Sequence, residues 1–180
     1  MPTIFTHAVV PLAIAVAAGS GRVSPRLALA GIAFAMLPDA DVAAFKFGIA
    51  YEDTWGHRGA THALAIAVLC AGAVSLVWKE ARSWFGFAFL AAAMASHGLL
   101  DALTDGGLGA ALLWPFSDAR IFAPFAPIRV SPIGAGFFSA RGGETLWSEV
   151  QWIWLPCAAV AIAGWSFRHI RRPATEPISD

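Results

Sequence analysis

Five apolar stretches, residues 4–19, 23–37, 63–78, 84–100 and 150–167, restrict what this chain can fold into more than any other feature. Each is slightly short of the ~20 residues that carry an α-helix across a bilayer. Each becomes long enough once polar residues at its ends lie at headgroup level or face a protein interior. The stretches are rich in alanine with glycine interspersed, a composition that lets helices approach closely in lipid. The 180-residue chain is 58% hydrophobic and only 13% charged, against about 25% charged residues in soluble domains. That apolar excess is too large to hide in one soluble core. The predicted fold is all-α, a polytopic membrane bundle of about five transmembrane helices. It forms a single domain over residues 1–172, with residues 101–149 as a long irregular outer loop and residues 173–180 as a disordered tail.

Lys+Arg and Asp+Glu are 12 each, so the formal net charge is zero. A nucleic-acid partner would need a basic excess to neutralise phosphates, and none is expected. Disorder of the whole chain is excluded by the hydrophobicity. Cys70 and Cys157 sit inside apolar runs and read as small hydrophobes, so no disulfide framework or Cys-type zinc site is available. No Lys or Arg precedes the first stretch, which argues for a helix rather than a cleaved signal. Trp147, Trp152, Trp154 and Trp165 read as an interfacial belt and lipid-facing packing around the last span.

Alternation of five spans puts Arg22, Arg26, Lys79, Arg82, Arg168, Arg171 and Arg172 on one side. The longer connections, with Lys46, Arg58, Arg120, Arg129 and Arg141, fall on the other. The density of positive charge on the short connections makes the first side cytoplasmic. The expected topology is N-terminus out and C-terminus in, with the bilayer as the immediate partner.

The same alternation gathers the chain's His and Asp residues at one membrane face. His7 lies at the outer end of the first span, Asp39 and Asp41 follow the second, His57 and His62 lead into the third, and His97 and Asp101 end the fourth. His97 and Asp101 are four apart, so on a helix they point the same way, and Thr104 and Asp105 continue that face. Imidazole and carboxylate spaced in this way suit zinc, manganese or iron. His57 and His62 are five apart and cannot share a helix face, which places His57 in the preceding loop. Arg58 and Gly59 between them offer a cation and close backbone approach to an anion. Ionisable groups in or beside membrane spans are costly and usually mark function. The candidate metal ligands are therefore His7, Asp39, His62, His97 and Asp101, with His57 and Asp41 as alternates or supporting residues. His169 sits in the basic tail and reads as a cytoplasmic anchor.

Thr6-His7 with Pro11, Leu37-Pro38-Asp39-Ala40-Asp41, His57-Arg58-Gly59-Ala60-Thr61-His62 and Ser96-His97-Gly98-Leu99-Leu100-Asp101 with Thr104 and Gly107 form an ordered set. With Trp114-Pro115-Phe116, this set resembles the YdjM-like family of bacterial inner-membrane proteins, grouped with metal-dependent hydrolases. A more distant resemblance is to zinc-dependent phospholipase C and its nuclease relatives. That likeness implies one ion held by a loop Asp, the third-helix His, His97 and Asp101. A second ion would share Asp101 and add His7. The later ligands of those enzymes have no counterpart, because no His lies between 98 and 168.

The function expected from these readings is a membrane-embedded, metal-dependent hydrolase of phosphoester bonds, carrying one or two divalent ions with zinc the leading choice. A lipid-linked phosphate suits a site at the outer headgroup level. Asp41 or Asp105 is the expected acceptor of the water proton, and Arg58 or Arg120 the expected phosphate contact. The alternatives are a non-catalytic membrane adaptor with a structural metal and a metal or solute transporter.

Overall fold

Six α-helices build the structure, a computed structural model describing residues 1–132 and 134–171. They are α1 (Ile4–Ala18), α2 (Pro25–Met36), α3 (Leu64–Val77), α4 (Trp84–Ala102), α5 (Ala140–Glu149) and α6 (Leu155–Ile170). Among the described residues there is no strand, only the isolated bridges Thr104–Ile128 and Ala110–Ile121. The expected disordered tail and Arg172 lie outside the described residues, as does Ile133.

Local chemistry explains where the helices begin. Ser24 caps α2, its hydroxyl accepting from the Leu27 N–H at 3.1 Å, with Pro25 in the first turn, where its missing N–H costs nothing. Ser83 does the same for α4 through the Gly86 N–H at 3.0 Å. The two capped ends meet, because Ser24 also bonds the Glu80 carboxylate. Val23, Leu27, Ala71, Ala81, Phe89 and Leu90 form a dry core at this end of the bundle.

Two segments outside the five apolar stretches are also helical. Leu37–Phe47 continues α2 as a 3-10 helix, with Pro38 at its start and Gly48 in the left-handed conformation at its end. Ala140–Glu149 is α5, joined to α6 through a π-helical turn at Val150–Trp154. The residues they bury are Pro38, Asp39 and Asp41 in the first and Gly142, Thr145, Ser148 and Glu149 in the second, which no apolar periodicity marks.

By length and apolarity, Pro25–Phe47, Trp84–Ala102 and Ala140–Ile170 are long enough to cross a membrane, while α1 and α3 are shorter apolar helices. At 15 residues α1 is about 22 Å long, against a hydrocarbon core of about 30 Å. The helices pack in the order α6, α1, then α2 with α4, then α3. Small residues line the α3–α4 seam, with Ala67, Ala71 and Ala93 fully covered. The reverse faces expose Leu12, Leu29, Leu69, Leu76, Val160 and Ile162, a surface for lipid rather than water.

Residues after α4 fold back over its end. Asp105 N–H donates to Ile128 O at 2.9 Å, Ala123 N–H to Ala102 O at 2.8 Å, and Ala111 N–H to Arg58 O at 3.0 Å. One end of the bundle is thus closed by apolar packing and the other by this strapped segment and the polar residues beneath it.

Gly31 tests the packing of α2 on α4, because a Cβ there would meet the Phe89 ring and Pro11. Gly31→Val is expected to cost about 1–3 kcal/mol through overpacking, read as a lowered unfolding temperature in detergent.

Candidate metal centre

Eight polar side chains gather at the strapped end from five parts of the fold. His7 comes from the first turn of α1, Asp39 and Asp41 from the 3-10 extension of α2, and His57 and Arg58 from the loop before α3. His62 lies on the turn that opens α3, and His97 and Asp101 lie on successive turns of α4. All are buried, none more than 8% exposed. Gly98 allows the approach, since a Cβ there would run into the His62 carbonyl and the Leu112 side chain.

One oxygen or nitrogen from each of Asp39, His62, His97 and Asp101 lies within 4.8 Å of all the others. His97 Nε2 is 3.1 Å from His62 Nε2 and 3.3 Å from Asp39 Oδ1. His62 Nε2 is 3.3 Å from Asp101 Oδ2. Ligands around a tetrahedral zinc stand about 3.4 Å apart, given metal–ligand bonds near 2.1 Å.

The outward nitrogens settle the tautomers. His97 Nδ1 is 2.7 Å from the Ala35 carbonyl, which only accepts, so Nδ1 carries the proton. His62 Nδ1 faces the Asp41 carboxylate at 3.2 Å and the Thr61 hydroxyl at 3.0 Å, and that hydroxyl already donates to Asp41 at 2.7 Å. In their neutral forms both Nε2 atoms therefore present lone pairs to each other, an arrangement that needs a cation between them. Burial alone would lower the pKa of the His62 imidazole. The carboxylates of Asp101 and Asp41 beside the ring outweigh it and raise the pKa above its ordinary value. The pocket draws in positive charge, whether a proton or a metal.

Unpartnered atoms mark the same place. Among the described residues, the buried side-chain N and O atoms with no hydrogen-bond partner are both nitrogens of His7, both oxygens of Asp39 and of Asp101, and Arg58 Nε. Such orphans are rare in folded proteins and point to an unseen ion or water. Three buried carboxylates, Asp39, Asp41 and Asp101, face one buried guanidinium. With neutral imidazoles that leaves two negative charges, which a divalent cation balances. The donor set thus fits a divalent metal. His7 lies on the other side of Asp101, its Nε2 3.8 Å from Oδ1 and its ring stacked on His97 at 3.8 Å between centroids.

Several sequence-predicted residues take places different from those expected. Asp41 is not a free carboxylate. Its Oδ1 accepts from His57 Nδ1 at 2.7 Å, and its Oδ2 from Thr61 and from the Arg58 N–H at 3.2 Å. His57 belongs with Asp41 and His62 in a second group of close donors. Arg58 enters the cluster but does not face outward. At φ +63° and fully buried, it pairs through Nε with Asp101 at 3.1 Å and donates to Gly106 O at 2.9 Å and Thr104 Oγ1 at 3.1 Å. Arg120 clamps the loop before α3, donating to the carbonyls of His57, Tyr51 and Asp53. Asp105 stands apart at the surface, accepting from the Val130 N–H at 2.8 Å and pairing with Arg129 at 3.7 Å. It leaves the shared face because α4 ends at Ala102. His169 lies at the opposite end of the bundle, bonded to Trp165 O.

Sequence reasoning missed Glu149, a fully buried carboxylate. Its signal was present, since it is an acidic residue at the N-terminal boundary of the fifth apolar stretch, as Asp101 is at the end of the fourth.

The family model described as YdjM inner membrane protein matches residues 1–172. A protein of Escherichia coli (strain K12) named Inner membrane protein YbcI is 46% identical over 164 residues, which is 87% of this chain and 92% of that protein. No solved structure matches the chain. The chain belongs to the YdjM inner membrane protein family, and its lipid-facing helices agree with that placement.

His97→Ala and Asp39→Ala are each expected to lower the divalent metal bound by detergent-purified protein, measured by elemental analysis. Asp41→Asn should keep the site but weaken it about 10–100-fold, as losing a residue that orients a ligand does. Asp105→Ala should leave metal content unchanged. Full occupancy in both ligand variants would remove the centre.

Proposed function

We propose that this YdjM-family protein is a membrane-embedded, metal-dependent hydrolase of phosphoester bonds. One observation carries the reading: the imidazoles of His62 and His97 and the carboxylates of Asp39 and Asp101 are buried with their donor atoms converging. His2Asp2 donor sets belong to zinc, manganese or iron. Asp39, His62, His97 and Asp101 would hold one ion, and His7 on the far oxygen of Asp101 would serve a second. A bound divalent ion lowers the pKa of a water ligand toward neutrality and polarises a phosphoryl oxygen.

The chain's own residues then divide the remaining work. Asp41 orients His57 and His62, holding Nδ1 of each. That leaves His57, at the edge of the cluster, as the base that takes a proton from water. Arg58 balances and aims Asp101 rather than capturing substrate. A groove of about 530 Å³, lined by Leu64, Val68, Leu69, Leu112, Trp114 and Phe116, starts two residues beyond His62 and faces lipid. It supports a lipid-linked phosphate as substrate.

A structural metal in a non-catalytic adaptor is the second reading, and one feature favours it: every ligand is closed off in the interior. Transport has no such support. The dry core of Val23, Leu27, Ala71, Ala81, Phe89 and Leu90 blocks the opposite end of the bundle.

Metal-replete protein in detergent should hydrolyse at least one member of a panel of phospholipids, lipid-linked phosphates and nucleotides. Asp101→Ala should lose both metal and turnover. His57→Ala should keep the metal and lose about 10²–10⁴ in kcat, the usual contribution of a general base. No turnover across the panel, with metal verified in place, would favour the structural-metal reading.

The centre faces outward in this proposal, because the short connections at the dry end carry Arg22, Arg26, Lys79 and Arg82 and the C-terminal helix adds Arg168 and Arg171. A reporter fused after Asp180 should behave as cytoplasmic, and a periplasmic signal there would reverse the orientation.

A further inference from the structure

Outside the cluster, Glu149 is the one other fully covered carboxylate among the described residues. It ends α5, yet its partners are on α1. Oε1 accepts from the Thr3 N–H at 2.5 Å, and Oε2 accepts from the Thr3 and Thr6 hydroxyls, each at 2.6 Å. Thr6 Oγ1 in turn accepts from Trp154 Nε1 at 2.8 Å. The Thr3 hydroxyl also lies 3.1 Å from the Thr6 hydroxyl, so the two threonines, Trp154 and the carboxylate form one connected network.

Two local departures from regular structure serve this contact. Thr3 is the N-cap of α1, but its side chain caps nothing, and α1 has no acidic residue in its first turn. Glu149 supplies the side-chain acceptor at that helix start from another helix. The π-turn at Val150–Trp154 begins immediately after Glu149. In a regular α-helix, residues five apart diverge by about 140° at about 100° per residue. The wider π-turn brings Glu149 and Trp154 toward one face, and both reach Thr6.

We propose that Glu149 is a positioning residue for His7, the neighbour of Thr6. By fastening both ends of the first turn of α1 to the π-turn, it fixes the His7 imidazole against Asp101 and His97. The His7 nitrogens have no hydrogen-bond partner of their own, so no hydrogen bond on the ring fixes its direction, and its stacking on His97 depends on where α1 begins. Hydrophobic packing of α6 on α1 would join the two helices equally well. A buried carboxylate with three donors adds direction, which packing alone does not. The consequence for coordination rests on the metal-centre reading. The positioning itself does not.

The test compares Glu149→Ala with Thr6→Val and Thr6→Ser in purified full-length protein. The first readout is diethylpyrocarbonate labelling of each histidine, resolved by mass spectrometry. Wild type should protect His7, His62 and His97. Glu149→Ala and Thr6→Val should raise His7 labelling about tenfold or more by local opening, with His62 and His97 still protected. Thr6→Ser, which keeps the hydroxyl, should restore protection. The second readout is the visible spectrum of Co(II)-loaded protein, where Glu149→Ala should reproduce the spectrum of His7→Ala. Equal labelling of all three histidines, no change at His7, or a wild-type Co(II) spectrum in Glu149→Ala would overturn the proposal. If Glu149→Ala does not fold, the Thr6 pair decides. If wild type takes up no Co(II), the metal reading fails while the labelling still judges the positioning.

Discussion

Two imidazole nitrogens facing each other at 3.1 Å, each with its proton committed to the far side of the ring, set the terms for everything around them. Buried beside three carboxylates at a membrane face, they are tolerable only with added positive charge. Uncompensated charges cost about 2.5–3.5 kcal/mol each at mid-membrane on insertion scales, and less toward the interface. Arg58 supplies one compensating charge from within, fixed by Asp101, Thr104 and Gly106. A divalent cation would supply the rest. Asp101 is the meeting point, since His7 lies near Oδ1 while His62 and Arg58 lie near Oδ2.

The two ends of the bundle are built on different physics. At one end, capping serines and an apolar core close the helices without any buried ion. At the other, the short helices α1 and α3 begin among the polar side chains, and the chain after α4 straps the opening. That strap uses backbone hydrogen bonds to α4 and to the Arg58 carbonyl. These bonds satisfy groups that lipid could not, so an irregular backbone is allowed there. Asp41, Thr61 and the Ala35 carbonyl form a rim that orients the imidazoles before any ligand arrives, which lowers the cost of assembling the centre.

How much of this was legible follows from periodicity. The helices at 4–18, 64–77 and 84–102 lie almost where the apolar stretches put them, because lipid-facing and buried residues are both apolar and the signal is continuous. The helical segments at 37–47 and 140–149 lie outside those stretches, where the continuous apolar signal breaks off. The residues they bury are mostly small or polar, and specific contact with protein holds them. His97 and Asp101 were legible as a pair because an interval of four is fixed by helix geometry. The roles of Asp39 and Asp41 were not, because two residues apart on a 3-10 turn they point to different neighbours.

The sequence by itself determined the bundle and the gathering of histidine and aspartate at one end, since a chain crossing lipid must alternate and ionisable groups must avoid its centre. Tertiary structure decided which atom each residue presents. It turned Arg58 inward, removed Asp105 to the surface, engaged both oxygens of Asp41 and brought Glu149 to the start of α1. These outcomes depend on long-range hydrogen bonds such as Glu149 to Thr3 and Thr6. Residues so distant along the chain carry no local pattern of their pairing, and the partner that best satisfies a buried charge emerges only when the helices pack.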